Sequence, residues 1–284
     1  MYGGGSRGLE SARRKEAAIP AAAALQRIGR AAAAYFLPAR CLACDLRPVE
    51  RVFRGGVCET CWSAVPHPPD SRCRVCDEPL AAEGARACGR CLIDPPPYRS
   101  LSAATPYRGT ARSILLAFKF RGADYLGARL AEVVVERLSI RPAAEERDHQ
   151  EVVAVPATAR SLRRRGYHPA ELLGRAVSLH LGIPFAPRRL RKVRETQRQS
   201  GLTLARRRQN VRGAFRASGR PPRRILLVDD VATSGQTARE CSAAMLAAGA
   251  EEIDVWCFAR ASRDDFDRDD SQFPVPGPPL SASR

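Results

Sequence analysis

The pattern of apolar and polar positions changes character near residue 98. Beyond it, short apolar runs alternate with segments of helical period. "SLSAATPY" predicts a strand. "ARSILLAFKFRG" and "YLGARLAEVVVERLS" repeat apolar residues at spacings of three and four and predict helices. The polar stretch "RPAAEERDHQ" separates these from "EVVAVPA", a continuous apolar strand. "HPAELLGRAVSLHLG" predicts a helix stopped at Gly182 and Pro184. "RILLVDD" predicts a buried strand, "SGQTARECSAAMLAAGA" a helix and "EIDVWCFAR" a further strand. Continuous apolar strands alternating with helices argue for an α/β fold, a parallel sheet with helices on both faces.

The segment before residue 94 lacks this pattern and is too poor in apolar residues to build a core without staples. "DPPPYRS", 94–100, reads as a linker. The expected organisation is therefore an N-terminal tail and helix over 1–37, a small cysteine-rich module over 38–93, an α/β domain over 98–263 and a tail over 264–284. The helix is expected at about 21–36. The last segment is acidic and then Pro-rich, which predicts disorder. Pro20, Arg27, Gly29 and Arg30 interrupt the alanine-rich run near the N-terminus, which argues against a signal peptide. No apolar run of about 18 residues occurs, so no membrane span is expected.

Charge adds a hint of a partner. Lys and Arg number 47 against 30 Asp and Glu, a formal charge of +17. Such an excess suits a nucleic acid or a phosphorylated metabolite, although a solvated arginine-rich face has the same composition.

The cysteines change the picture more. Eight of the ten form four Cys-x-x-Cys pairs: Cys41/Cys44, Cys58/Cys61, Cys73/Cys76 and Cys88/Cys91. Two thiolates two residues apart sit on one tight turn and point at one ion, and two such turns complete a tetrahedral zinc site. Eight thiolates therefore predict about two structural Zn²⁺ ions, closed to substrate. Sequence order groups the first four and the last four, with an interleaved pairing left open. Cys241 and Cys257 fall in a predicted helix and a predicted strand, where they read as small buried residues.

In "ILLVDDVATSGQTA", 225–238, an apolar strand leads to two acids, Asp229 and Asp230, then to a small, hydroxyl-rich loop and a helix. Ligands of open α/β sheets sit beyond the carboxyl ends of the strands. A loop such as Thr233-Ser234-Gly235-Gln236-Thr237, opening a helix, offers backbone N–H groups to a phosphate. The carboxylates suit vicinal hydroxyls or a hydrated Mg²⁺. A ribose 5-phosphate has both features.

This stretch resembles the signature of type I phosphoribosyltransferases, which bind 5-phosphoribosyl 1-pyrophosphate (PRPP). With "FLPARCLAC", "PYRGTARSILLAFKFRG", "RSLRRRGYHPAELLGRA" and "RETQRQSGLTLARRRQNVRGAF", the whole of about 36–260 is similar to the ComF family of competence proteins. The resemblance implies a type I phosphoribosyltransferase-like sheet behind a double zinc module. It implies PRPP and Mg²⁺ as ligands, a cytoplasmic location, and a link to DNA uptake in natural transformation. By the same resemblance Asp229 and Asp230 are the catalytic acids. Thr233 to Thr237 cradle the phosphate, and Ala157 and Thr158 belong to the pyrophosphate loop. A mobile basic loop carries Arg194, Gln199, Arg206 and Arg207.

The chain departs from the family in two places. The pyrophosphate loop reads Ala154-Val155-Pro156-Ala157-Thr158, with one proline where two are usual. His168-Pro169 follows Gly166-Tyr167 where Asn-Gln is usual. Purine-salvage relatives carry an acid where Thr233 stands, which argues against a hypoxanthine or guanine acceptor.

Residues 188–216 hold 11 Lys or Arg against one acid, Glu195. This loop clamps pyrophosphate, binds nucleic-acid phosphates, or is a solvated face. Phe215 is its one aromatic, which weakens a dedicated single-strand platform. Two functions follow. One is phosphoribosyl transfer to an unknown acceptor. The other is a non-enzymatic PRPP sensor or an adaptor for single-stranded DNA or an uptake helicase.

Overall fold

The computed structural model describes residues 39–49, 56–82, 84–139, 148–194 and 212–262. The expected helix at 21–36 and the expected tail at 264–284 lie outside the described residues, as do Gln199, Arg206 and Arg207.

The cysteine module contains β1 (Ala39–Arg40) and β2 (Pro48–Val49), paired antiparallel, then two one-turn helices, α1 (Glu59–Ser63) and α2 (Gly89–Ile93). Its two halves repeat one another. Asp45 and Asp77, each just after a Cys-x-x-Cys turn, hold positive φ of 56° and 61°. Asp45 N–H donates to Cys41 O and Asp77 N–H to Cys73 O, both at 2.8 Å. Cys58 and Cys88 then stand at the N-caps of α1 and α2. The cysteine pairs visible in the sequence are thus part of a larger structural repeat.

The linker leads into β3 (Ser100–Pro106) and α3 (Gly109–Phe120). A 3₁₀ turn at Asp124–Leu126 then precedes α4 (Gly127–Ser139). Next come β4 (Glu151–Ala154), α5 (Ala159–Arg165), α6 (Pro169–Leu181) and the strand pair β5 (Leu190–Lys192) and β6 (Phe215–Ala217). The chain ends with β7 (Arg224–Ala232), α7 (Gln236–Ala247) and β8 (Glu252–Arg260). Every long element anticipated beyond residue 98 forms. The one-turn caps, α5 and the β5–β6 pair are too short to show a period.

The main sheet has the order β3-β8-β7-β4, and all its neighbours are parallel. Alternation along the strands separates two core layers. Leu226, Val228, Trp256 and Phe258 face α3, α4 and α6. Ile225, Leu227, Val255 and Cys257 face Ala238, Cys241 and Met245 of α7. Both faces are buried, so the strands read as unbroken apolar runs. Each fully buried Leu or Ile here contributes about 1.5–3 kcal/mol relative to exposure. At Gly174 of α6 a Cβ would come within 3.0 Å of Phe185 and 3.6 Å of Val228. Glycine there lets the helix lie close on β7.

Cys41, Ala43, Cys61 and Val65 of the first ribbon belong to the layer under α3 and α4. The second ribbon covers the open edge of β3. Leu101 N–H donates to Val75 O at 2.8 Å, and Ala103 N–H to Asp77 Oδ2 at 2.9 Å. An edge strand left bare would be a template for aggregation.

Candidate functional site

Each half of the module gathers one group of four cysteines. Cys41, Cys44, Cys58 and Cys61 form the first, and Cys73, Cys76, Cys88 and Cys91 the second. The interleaved pairing is therefore not the one the fold adopts. Within each group all four sulfurs lie within 4.8 Å of one another. Cys41 and Cys61 sulfurs are 3.8 Å apart, and those of Cys76 and Cys88 3.6 Å. Tetrahedral Zn–S bonds of about 2.3 Å put sulfurs at about this separation. Cys58 N–H donates to Cys41 Sγ and Cys88 N–H to Cys73 Sγ, both at 3.3 Å. Such bonds orient the thiolate and spread its charge. Burial pushes the Cys61, Cys76 and Cys91 thiols up, Cys76 to about 12. A divalent cation among them reverses that shift. The donor set fits two closed structural zinc ions.

The second candidate site lies on the carboxyl edge of the sheet. The β4 ladder stops at Ala154 opposite Val228, while β7 continues to Ala232 beside β8. Asp229 and Asp230 thus stand where β7 has lost one neighbour, two residues before the strand itself ends. They are less exposed than a strand terminus would make them. By alternation Asp229 continues the row facing α7, and Asp230 the row facing α3.

Asp230 is 8% exposed and pairs with Lys119 Nζ at 2.8 Å. Burial, then the neighbouring Asp230 carboxylate, push the Asp229 carboxyl up to about 8, with Lys119 pulling the other way. Its Oδ1 accepts from Asp230 N–H at 2.8 Å. Lys119 was missed by sequence reasoning. Its signal is a single cation inside the apolar run "LLAFKF" of α3.

Thr233, Ser234 and Gly235 carry the chain into α7. Gly235 takes φ 73° at the N-cap and, having no side chain, does not itself cap the helix. Gln236 N–H donates to Ser234 Oγ at 3.4 Å, and the helix dipole favours an anion at this end. Gln236 is buried, with Nε2 donating to Glu240 Oε1 at 3.4 Å. Thr233, Ser234 and Thr237 are half-buried. A Cβ at Gly235 would meet Tyr98 OH at 3.3 Å and Arg260 Nη1 at 3.9 Å. The linker from the second ribbon and the end of β8 therefore back this loop, a proximity that no local pattern announces.

Val155 N–H still donates to Val228 O at 2.9 Å, after which Pro156, Ala157 and Thr158 leave the sheet. Thr158 Oγ1 accepts from Ser161 N–H at 3.0 Å and caps α5. His168, one of the departures in the sequence, approaches Val155 O at 3.0 Å and Glu171 Oε2 at 3.3 Å through its two ring nitrogens. It ties this loop to α6. Arg194 is exposed and donates to Arg212 O at 2.7 Å. It joins the two ends of the 195–211 segment above the β5–β6 pair.

Fold and site together define a parallel-sheet α/β domain, with paired acids on its carboxyl edge, carrying two four-cysteine ribbons. A family described as "Double zinc ribbon domain" matches residues 32–92. Competence protein F of Haemophilus influenzae is 32% identical over 235 residues, covering 80% of this chain and 99% of the relative. The DNA utilization protein YhgH of Salmonella typhimurium is 31% identical over 208 residues, covering 72% and 90%. The chain belongs to the competence protein F family.

Among solved structures, the glutamine PRPP amidotransferase of B. subtilis is 26% identical, with a TM-score of 0.28 over 48% of this chain. The chain spans about a quarter of that structure, 26%. Adenine phosphoribosyltransferase of Leishmania tarentolae gives 15% identity and a TM-score of 0.28, covering 48% of this chain and 70% of that one. The roles of residues therefore rest on strand order and site geometry. No helix among the described residues is long and apolar enough to cross a membrane.

Proposed function

We propose that the carboxyl edge binds PRPP with Mg²⁺, that the protein works in the cytoplasm, and that it serves DNA utilisation, a role that the names of its relatives, Competence protein F and DNA utilization protein, support. One observation carries the ligand reading. A helix N-terminus opened by Gly235 stands beside two adjacent carboxylates on the strand that feeds it. The 5-phosphate takes the N–H groups of the Thr233–Thr237 loop. Asp229 and Asp230 accept the ribose hydroxyls or hold Mg²⁺ through water, and the bound ion neutralises pyrophosphate charge. Lys119 orients Asp230 through their ion pair at 2.8 Å. In this reading Ala157 and Thr158 serve the pyrophosphate, and Arg194, Gln199, Arg206 and Arg207 of the basic loop hydrogen-bond it or offset its charge. For transfer, the protein's task is positioning and charge stabilisation rather than covalent catalysis. The cysteines of each ribbon hold one zinc ion.

Asp229→Asn is the cleaner test, because Asp230→Asn also strips Lys119 of its partner. Calorimetric titration of PRPP with Mg²⁺ at about pH 9, where the raised Asp229 carboxyl is ionised, should show at least a tenfold loss of affinity, about 1.5–3 kcal/mol for one charge-assisted bond. Melting should stay near wild type. Equal affinity in both proteins rejects the reading. Pyrophosphate release with an acceptor then marks an enzyme, and binding without release marks a sensor or adaptor.

A further inference from the structure

A cavity of about 250 Å³ lies where the second ribbon meets the carboxyl ends of β3 and β8. It is separate from the acids of β7. Three guanidinium-bearing side chains line it, Arg72, Arg108 and Arg260, against one carboxylate, Asp77. Asp77 is already engaged. It accepts from Arg72 at 3.1 Å and from Ala103 N–H at 2.9 Å. Arg108 is exposed and has no acidic partner among the described residues. Arg260 is 4% exposed, and only its Nη2 is bonded, to Glu78 Oε2 at 2.6 Å. Its Nε and Nη1 are buried with no hydrogen-bond partner. Leaving such donors unsatisfied is costly, and most buried polar groups avoid it.

The walls suit a small rigid pocket. Pro68, Pro69, Pro79 and Pro106 line it, and their fixed φ angles limit collapse around the arginines. The volume falls just below the range of roughly 300–1,000 Å³ for drug-sized ligands. It suits one anionic group on a small body.

We propose that this cavity is an oxyanion site for a small phosphate- or carboxylate-bearing ligand, held by Arg108 and by the unpaired nitrogens of Arg260, which a small shift of the cavity wall brings into contact. Guanidinium forks match the planar or tetrahedral oxygens of such groups. Arg260 also passes within 3.9 Å of the Gly235 Cβ position. One buried cation thus stands between this cavity and the loop where the PRPP phosphate is proposed to sit. The cavity does not depend on that assignment.

The test titrates inorganic phosphate into zinc-loaded full-length protein, in parallel with Arg108→Gln, Arg260→Lys and Thr237→Glu. Arg108 is exposed and its side chain does not cap α3, so its loss leaves the fold alone. Thr237→Glu places an acid in the first turn of α7, which the helix tolerates and a phosphate does not. Two phosphate sites are expected in the wild type. Arg108→Gln should weaken one by about tenfold or more, as should Arg260→Lys, and Thr237→Glu should spare that one. Zinc content and melting, unchanged in Arg108→Gln, show that the loss is local. Displacement of phosphate by acetate at the Arg108-dependent site assigns a carboxylate-bearing ligand, and resistance to acetate a phosphate-bearing one. Wild-type phosphate binding in Arg108→Gln, or loss of all phosphate binding in Thr237→Glu, overturns the proposal. Failure at the Thr237 site alone counts against the PRPP loop and leaves the cavity standing.

Discussion

The first ribbon joins the α/β core, and the second leans on the edge of the sheet. In the first, Cys41, Cys61 and Val65 share an apolar layer with α3 and α4. Its polar anchors run to its own backbone carbonyls. Thr110 Oγ1 donates to Ala64 O and Thr105 Oγ1 to Pro66 O, both at 2.8 Å, and Arg137 donates to Pro66 O at 2.8 Å. The second ribbon has a small cluster of its own around Cys73, Cys76 and Cys91. Carboxylates anchor it: Asp77 to the β3 backbone, Glu78 to Arg260, and Asp94 to Arg239 at 2.7 Å. Two copies of one local structure have thus acquired different attachments. One rests on apolar packing and carbonyl acceptors, the other on carboxylates close to both candidate anion sites.

The largest expected effect breaks the symmetry of the metal sites. Cys61→Ser and Cys91→Ser should each lower the zinc content by about one ion. Structural zinc binding in small modules is worth on the order of 10 kcal/mol, so either ribbon should loosen. Cys61→Ser should also lower the main melting transition, because its ribbon is continuous with the core. Cys91→Ser should leave that transition nearly in place while Ala103 N–H loses protection from hydrogen exchange. Identical melting curves for the two variants would erase the distinction.

A second, smaller effect depends on pH. Asp254 lies under the linker of the second ribbon and is 1% exposed. Burial pushes its carboxyl up. Hydrogen bonds with His149 at 2.8 Å, with Arg99 and from Ser100 at 2.6 Å outweigh burial and hold it well below the usual carboxylate range. A depressed folded-state value stabilises the fold above the unfolded value of about 3.9, and that contribution is lost as pH falls below it. Between pH 5 and pH 3 the amides around Arg99 and Ser100 should exchange faster, relative to those of α3, than at pH 7. Thiolates also release zinc in acid, so metal content is followed alongside. Equal loosening of both regions at constant zinc would show that the carboxylate anchors do not matter.

Much of this contrast was invisible in the chain, and the reason is physical. Strand and helix periods between Ser100 and Arg260 are local, and so are the Cys-x-x-Cys turns, so the sheet and both clusters could be anticipated. The acids and the hydroxyl-rich loop were legible for the same reason: they are contiguous. Lys119 is far from its partner Asp230 along the chain, and packing of α3 on the sheet brings them together. Arg260 and Glu78 are 182 residues apart. Thr158, expected in the pyrophosphate loop, has its hydroxyl taken up as a helix cap, which "PATARS" does not distinguish from a binding turn.

The smallest predicted effect tests the carbonyl anchors of the first ribbon. Thr110→Val is nearly isosteric, so packing beside Ala111 and Ile114 changes little. What it removes is the hydroxyl that donates to Ala64 O at 2.8 Å. Thr110 is 9% exposed, so water reaches that carbonyl poorly once the hydroxyl has gone. An intramolecular hydrogen bond of this kind is worth about 1 kcal/mol net, and an unsatisfied buried acceptor adds to the loss. Valine and threonine rank close together in helix propensity, so that contribution changes by no more than about a few tenths of a kcal/mol. Thermal unfolding of Thr110→Val should therefore show a loss of about 1 kcal/mol, with both zinc ions retained and no change between pH 7 and pH 5. The absence of pH dependence is the informative part, because neither donor nor acceptor titrates there. A loss that grew as pH fell would mean that the first ribbon, like the second, is held by charge.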